Sequence, residues 1–154
     1  MAFAETTTVA FEKSIAEIVG LVRKAGATQI GQMEGDSSFT IAFKLGDRLI
    51  KFVLPLASEY KGPTKSGNGR AIDGATISEQ RNRQKGRAFL LVIKAKLESV
   101  ESGIETVEQA FLANVVTSGG LTVYERIAEP LALEYRTGQP SAVAGLLAGP
   151  GEQQ

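Results

Sequence analysis

The 154-residue chain contains no histidine and no cysteine. Without cysteine there are no disulfides, thiolate metal ligands or thiol nucleophiles. Without histidine the chain lacks the commonest general base and transition-metal ligand, and it cannot form a Ser-His-Asp or Cys-His arrangement. Catalysis would have to use carboxylates, lysine, tyrosine or Mg²⁺, and no such group has a recognisable catalytic spacing. We therefore expect a protein that is not an enzyme and that holds no cofactor and no metal.

Long apolar runs are also missing from the chain. No stretch approaches the roughly 18 apolar residues of a membrane-spanning helix, so no membrane partner is expected. The first residues lack the basic segment and the apolar run of a signal peptide, and a cytosolic protein is the default expectation. The length and the 43% of apolar residues suit one globular domain.

Hydrophobic periodicity predicts an α+β fold. Apolar residues at helical spacing from Phe11 to Val22 predict a first helix over about residues 9–25. A short antiparallel meander should follow, with a weak strand at 28–34 and an alternating strand at 39–45. After a Gly46-Asp47 hairpin turn, a further strand at 49–54 is expected to end before a proline.

The second half of the chain is predicted to be helical. Capping-box spacings begin at Thr76, Thr106 and Thr122, where a hydroxyl and a side chain three residues later can bond each other's backbone amides. They predict a long central helix and two further helices. Pro130 is expected to kink or split the last helix. The expected core stripe of that helix is Val123, Ile127 and Leu131.

These elements form one domain with loose ends. Residues 10–138 are predicted to be a single α+β domain, and residues 1–9 and 139–154 a flexible arm and a flexible tail. Residues 57–76 have no periodicity and contain several glycines, so they are predicted to form a mobile loop within the domain.

The formal net charge of zero hides a strong charge pattern. Residues 1–59 carry net −1, residues 60–96 carry net +7, and residues 97–154 carry net −6. On a helical projection, Arg83, Arg87 and Lys94 form one row beside the core stripe of the long helix. Arg81, Lys85 and Lys96 form a second row on the opposite flank.

This basic segment has two interpretations. A basic loop and helix could follow a phosphate backbone, and the candidate nucleic-acid-binding residues are then Lys61, Lys65, Arg70, Arg81, Arg83, Lys85, Arg87 and Lys94. Alternatively, the basic residues form a solvated helix face that pairs with the acidic C-terminal segment, within one chain or between subunits.

The centre of the long helix is apolar on nearly every side. Such a helix is either buried in the core or in contact with a partner, and both interpretations stay open. The candidate residues of an oligomer contact are Leu90, Leu91 and Val92. Tyr124 and Tyr135 lie close to one face of the last helix, which suits residues of a core or of an interface.

Five segments of the chain resemble, in the same order, a family of small uncharacterised proteins of tailed bacteriophages and prophages. They are 52–56, 81–98, 103–106, 110–113 and 121–123, and the resemblance spans residues 10–138. The chain departs from the family pattern at Gly86, where that pattern has a tryptophan, and at 117–120, where it has a proline-containing turn. The resemblance implies a phage protein acting in the cytoplasm of the bacterial host, and it implies no activity and no site residues.

Three functions are consistent with these features. The first is a non-enzymatic phage accessory protein that binds nucleic acid through the basic loop and helix, residues 61–96. The second is a protein-interaction module, either a self-assembling homo-oligomer or an inhibitor of a host protein. The third is a protein that sequesters a nucleotide, with Arg70 or Arg87 on the phosphates.

Overall fold

The computed structural model of the protein describes residue 4 and residues 7–57, 67–71 and 73–143. Within these residues the chain forms four α-helices, one 3-10 turn and a three-stranded antiparallel sheet. The predicted α+β order is confirmed. The elements are α1 (Phe11–Lys24), β1 (Thr28–Glu34), β2 (Ser38–Leu45), β3 (Arg48–Pro55), α2 (Gly74–Glu101), α3 (Val107–Phe111), the 3-10 turn (Leu112–Asn114) and α4 (Val123–Thr137).

The sheet has the strand order β1-β2-β3, and the predicted hairpin between β2 and β3 is present. Leu45 pairs with Arg48 across the turn, where Gly46 adopts the positive φ of +59° that glycine tolerates best. The alternation along β2 is also confirmed, because every second residue is buried: Phe39, Ile41, Phe43 and Leu45.

Helices α1 and α2 cross closely over one face of this sheet. The ring of Phe11 in α1 contacts that of Phe39 in β2, and the ring of Phe89 in α2 contacts that of Phe52 in β3. At the crossing, a Cβ on Gly86 would lie 2.9 Å from Cδ2 of Phe11. Gly86 therefore allows a close approach of the two helices, and the tryptophan of the phage-family pattern would not fit without moving α1.

Helix α3 closes the other end of the core. The ring of Phe111 is fully buried and makes edge-on contacts with the rings of Phe43 and Phe52. Val115, which follows α3 and the 3-10 turn, forms an antiparallel bridge to Ile50 in β3. The core is thus built from both halves of the chain.

One of the three predicted helix starts is wrong. The long helix begins at Gly74, and the side chain of Asp73 caps it by accepting a hydrogen bond from the amide of Ala75. Thr76 lies inside the first turn, because an extended aspartate three residues earlier supplies the capping acceptor. The capping boxes at Thr106 and Thr122 are both confirmed.

Helix α4 runs through Pro130 as one helix from Val123 to Thr137, so of the two predicted effects of this proline, a kink or a split, the split is excluded. The expected core stripe is wrong, because Val123 and Ile127 are only half-buried and Leu131 is exposed. The helix ends at Thr137, and Gly138 caps it in the left-handed conformation with φ +67°.

The predicted arm, loop and tail are described only in part. The carbonyl of Thr7 accepts a hydrogen bond from the Gln80 side chain, which ties this end of the arm to α2. Val143 in the first part of the tail is buried. Residues 1–3, 5–6, 58–66, 72 and 144–154, and with them most of the predicted loop and tail, lie outside the described residues.

Candidate interaction surfaces

The basic row on the α1 side of α2 is largely neutralised within the protein. The Arg83 guanidinium lies 2.7 Å from a carboxylate oxygen of Glu79, one turn earlier on the same helix. Arg87 reaches across to α1 and lies 3.2 Å from Glu17. Both arginines are more than two-thirds buried at the side chain, and the Arg87–Glu17 pair also joins α2 to α1. Lys94, the third member of the row, is exposed.

The second basic row contributes mainly to the fold. The Lys85 ammonium donates a hydrogen bond to the Pro55 carbonyl at the end of β3. The Lys96 ammonium donates to the Ala110 carbonyl at 2.6 Å and lies 5.7 Å from the centre of the Phe111 ring. Both lysines thus satisfy carbonyl groups where a strand or helix ends. Their spacing in the sequence gave no signal of these contacts.

The predicted nucleic-acid-binding residues therefore do not share one face. The core stripe of α2 lies between the two rows, as the helical projection indicates. Arg70, Arg81 and Lys94 are exposed. Lys61 and Lys65 lie outside the described residues. Nucleic-acid binding by this set stays a prediction.

A cleft of about 400 Å³ lies between the start of α1 and the start of α2. Two buried polar atoms at this cleft, Oγ of Ser78 and Nε of Arg83, have no hydrogen-bond partner in the part of the chain that the structure describes. The charged side chains that line it are Arg83 and three glutamates, namely Glu12, Glu34 and Glu79. This net negative lining is unsuited to the phosphates of a nucleotide.

An exposed apolar stripe lies on α4. Tyr124 is 61% exposed, Leu131 38% and Tyr135 87%, and they follow one another at helical spacing with Ile127 between them. We call these four residues the tyrosine stripe. None of the fifteen residues of α4, all of which are described, is buried. This exposure contradicts the core interpretation of the two tyrosines, and the interface interpretation stays a prediction.

Helix α4 is attached to the body of the protein mainly through its first turn. The amide of Val123 donates to the Val115 carbonyl, and the Lys51 ammonium lies 3.8 Å from the Glu125 carboxylate. At the other end, the amide and hydroxyl of Ser141 both donate to Glu134, at 2.9 and 2.6 Å. The two hydrogen bonds lower the pKa of the Glu134 carboxyl below its ordinary 4.5, and the bond from the Ser141 hydroxyl has the larger effect.

A second apolar surface lies on the outer side of α2, away from the core. Leu91 and Val92 are each 44% exposed, and Ala88 and Ala95 are exposed beside them. We call these four residues the outer face of α2. Leu90, by contrast, is 7% exposed and belongs to the core cluster. Of the predicted oligomer contact, Leu91 and Val92 are therefore the residues that another molecule can reach.

Two kinds of site are absent from the described residues. No described helix is long and apolar enough to cross a membrane. No described group of three or more acidic side chains is arranged to hold a metal ion. Comparisons with protein-family models, curated proteins and solved structures gave no match to this chain.

Proposed function

We propose that the protein is a non-catalytic interaction module that associates with further copies of itself. The observation that supports this best is α4, a fifteen-residue amphipathic helix none of whose residues is buried. Helices of this length are marginal in water on their own, and most helices in proteins gain stability by packing an apolar face. The tyrosine stripe is such a face, and both of its tyrosines are mostly exposed.

The chemistry of the stripe is that of a protein contact. Tyrosine is enriched in the buried centres of interfaces, because its ring supplies a large apolar area and its hydroxyl can still reach water or a polar partner. An aromatic side chain buries about 150–250 Å² when it is fully covered. Tyr124 and Tyr135, with Leu131 between them, would therefore form an anchor for a partner.

The charge pattern favours a second copy over a foreign partner. Arg83 and Arg87 of the basic segment pair with Glu79 and Glu17. The acidic residues Glu108 and Glu125 pair with Arg48 and Lys51 of β3. None of these four pairs joins the basic segment, residues 60–96, to the acidic third, residues 97–154. The basic segment of one copy can therefore attract the acidic third of another copy. A foreign protein, such as an inhibited host factor, is the alternative outcome.

Light scattering coupled to size-exclusion chromatography tests the proposal. The full chain should run above its monomer mass of 16.3 kDa at high concentration and shift towards it on dilution. Leu131→Glu should favour the monomer, because it places a charge in the centre of the stripe. The matched control is Ala132→Glu, which adds the same charge on the neighbouring exposed residue but about 100° round the helix.

Ala132→Glu should assemble to the same extent as the unmodified chain. At a dilution where both variants are monomeric, Leu131→Glu and Ala132→Glu should unfold at the same temperature. Two results would overturn the proposal. One is a monomer at every concentration, which would leave a foreign partner for the stripe. The other is an equal effect of the two substitutions.

Nucleic-acid binding is the second candidate function, favoured by the net charge of +7 over residues 60–96 and by the exposure of Arg70 and Lys94. Fluorescence anisotropy with a labelled DNA oligonucleotide should show an affinity that falls steeply with added salt. Arg70→Gln with Lys94→Gln should weaken binding without breaking a described ion pair. Arg126→Gln with Arg136→Gln removes the same charge from the acidic third and should have less effect. No binding at low ionic strength would exclude this function.

A further inference from the structure

We infer that the tyrosine stripe of one copy docks on the exposed face of the β-sheet of a second copy, and that the second copy makes the same contact in return. This inference rests on the proposed self-association and names the surface that receives the stripe. It is tested separately from self-association, because a dimer can also form through stripes that contact each other.

The two faces of the sheet differ in what covers them. Helices α1 and α2 cover the face that carries the buried residues of β2. Residues directly opposite each other in an antiparallel pair share a face, so the strand register identifies the residues of the other face. We call this other face the open face. Its residues are Gly31 and Met33 of β1, Thr40, Ala42 and Lys44 of β2, and Leu49, Lys51 and Val53 of β3.

The open face is more apolar than a sheet face that only meets water. The outward residues of an antiparallel sheet with one solvated face are commonly polar. Here Met33 is 66% exposed, Val53 53% and Leu49 42%. Met33, Thr40 and Val53 form one row across the three strands. The open face is therefore an exposed apolar surface of the kind that a partner covers.

The tyrosine stripe alone is too small for a stable dimer. With exposures of 61% and 87%, Tyr124 and Tyr135 together offer roughly 220–370 Å² to a partner. Leu131 is only 38% exposed and Ile127 is half-buried, so they add less. A stable interface covers about 800 Å² on each partner. Each copy must therefore contribute a further surface, and in a reciprocal contact each copy buries both its stripe and its open face.

The open face and the stripe lie next to each other within one copy. Lys51 of the open face donates to the Gly120 carbonyl at 3.4 Å and lies 3.8 Å from Glu125, in the first turn of α4. Helix α4 therefore begins at the β3 side of the open face, and a twofold axis beside this junction would bring each stripe over the open face of the other copy. The outer face of α2 is less suited to this contact, because α2 covers the opposite face of the sheet.

The dimensions and charges of the two surfaces are compatible. The stripe extends about 16 Å along α4 from Tyr124 to Tyr135, and the open face extends about 13 Å along β3 from Leu49 to Val53. The open face has two lysines and no acidic residue, whereas α4 has three glutamates and two arginines. Lys44 forms no ion pair with any other described residue. The open face of one copy therefore attracts α4 of another.

A mixture of two variants tests whether the stripe and the open face meet. Leu131→Lys alters the stripe, and Met33→Glu alters the open face. Each variant alone should form several-fold less dimer, because both contacts of its dimer are altered. In a mixed dimer both changes fall in one contact, where the two introduced charges attract, and the other contact is unmodified. Light scattering of an equimolar mixture should therefore show most of the dimer recovered.

The matched control is Gln32→Glu, which adds the same charge one residue earlier in β1. Gln32 is exposed like Met33, but it pairs with Ile41 and so lies on the face that α1 and α2 cover. Gln32→Glu should dimerise as the unmodified chain does. Circular dichroism should give the same secondary structure for Gln32→Glu and Met33→Glu, since both side chains are exposed.

Two results would overturn the docking of the stripe on the open face while self-association stands. One is a Met33→Glu chain that assembles no worse than Gln32→Glu. The other is a mixture that forms no more dimer than Leu131→Lys and Met33→Glu do alone, which is expected if stripe contacts stripe. If the unmodified chain is a monomer at every concentration, the proposed function and this inference fail together.

Discussion

Two amphipathic helices of nearly equal length, α1 and α4, lie near the two ends of the described chain, and they differ in the burial of their apolar side chains. Helix α1 has fourteen residues, and its apolar stripe is buried against the sheet and α2. Helix α4 has fifteen residues, and its stripe is exposed. Helical periodicity in a sequence therefore shows only that a helix has an apolar face. Whether that face is buried within the same chain depends on the rest of the fold.

The largest contrast is expected between truncations in the two regions. Phe111→Ala should lower the free energy of unfolding by about 3–5 kcal/mol, because it empties a fully buried site between two other aromatic rings. Leu131→Ala on α4 should change it by less than about 0.5 kcal/mol in the dilute monomer. Urea denaturation of both variants measures this difference. Equal losses would show that α4 is packed as tightly as the core.

Substitutions of two glycines compare the close crossing of α1 and α2, at Gly86, with an open position on the surface of α1, at Gly20. Gly86→Leu should destabilise the protein by roughly 1–3 kcal/mol or more, because its side chain would collide with Phe11 at the crossing. Gly20→Ala in α1 has nothing within 4 Å of the new Cβ and should stabilise by up to about 1 kcal/mol. Thermal unfolding compares them. A neutral Gly86→Leu would contradict the close crossing.

Removal of one helix cap should act on α4 in particular. Thr122→Ala removes the hydroxyl that accepts from the Glu125 amide, and helix caps contribute typically about 1 kcal/mol. Because α4 is attached mainly at this turn, its amides should exchange with solvent faster, while those of α2 should be unaffected. Hydrogen exchange followed by NMR resolves the two helices. If the exchange rates of the α4 amides do not change, α4 is held to the rest of the protein by contacts other than its first turn.

The smallest effect on stability is expected from the titration of Glu134, near the end of α4. The folded-state pKa of Glu134 lies below 4.5, so its contribution to stability is complete above that value. The contribution is lost as the pH falls through the lower folded-state pKa. Ser141→Ala removes the hydroxyl donor and should move the pKa of Glu134 part of the way back towards 4.5. An NMR titration of the carboxyl measures it, and an unchanged pKa would exclude the Ser141 bond.

Much of this fold could be predicted because its signals are local. The alternation from Phe39 to Leu45, the hairpin at Gly46 and the cap at Thr122 each depend on neighbouring residues, and each is confirmed. The start of α2 was missed because Asp73 and Thr76 both offer capping oxygens, and only the backbone conformation decides between them.

The surfaces could be predicted less well because they depend on distant contacts. The basic row of Arg83 and Arg87 is visible in the sequence, but the partner Glu17 is 70 residues away from Arg87. Lys85 and Lys96 look like surface charge, and they bond carbonyls at the ends of other elements. Likewise, nothing in the spacing of Tyr124 and Tyr135 distinguishes a covered stripe from an open one.

Sedimentation equilibrium of the unmodified chain over a wide concentration range tests the central claim most directly. Self-association predicts a weight-average mass that rises with concentration above 16.3 kDa, and that Leu131→Glu lowers while Ala132→Glu does not. A mass of 16.3 kDa at every concentration would contradict it.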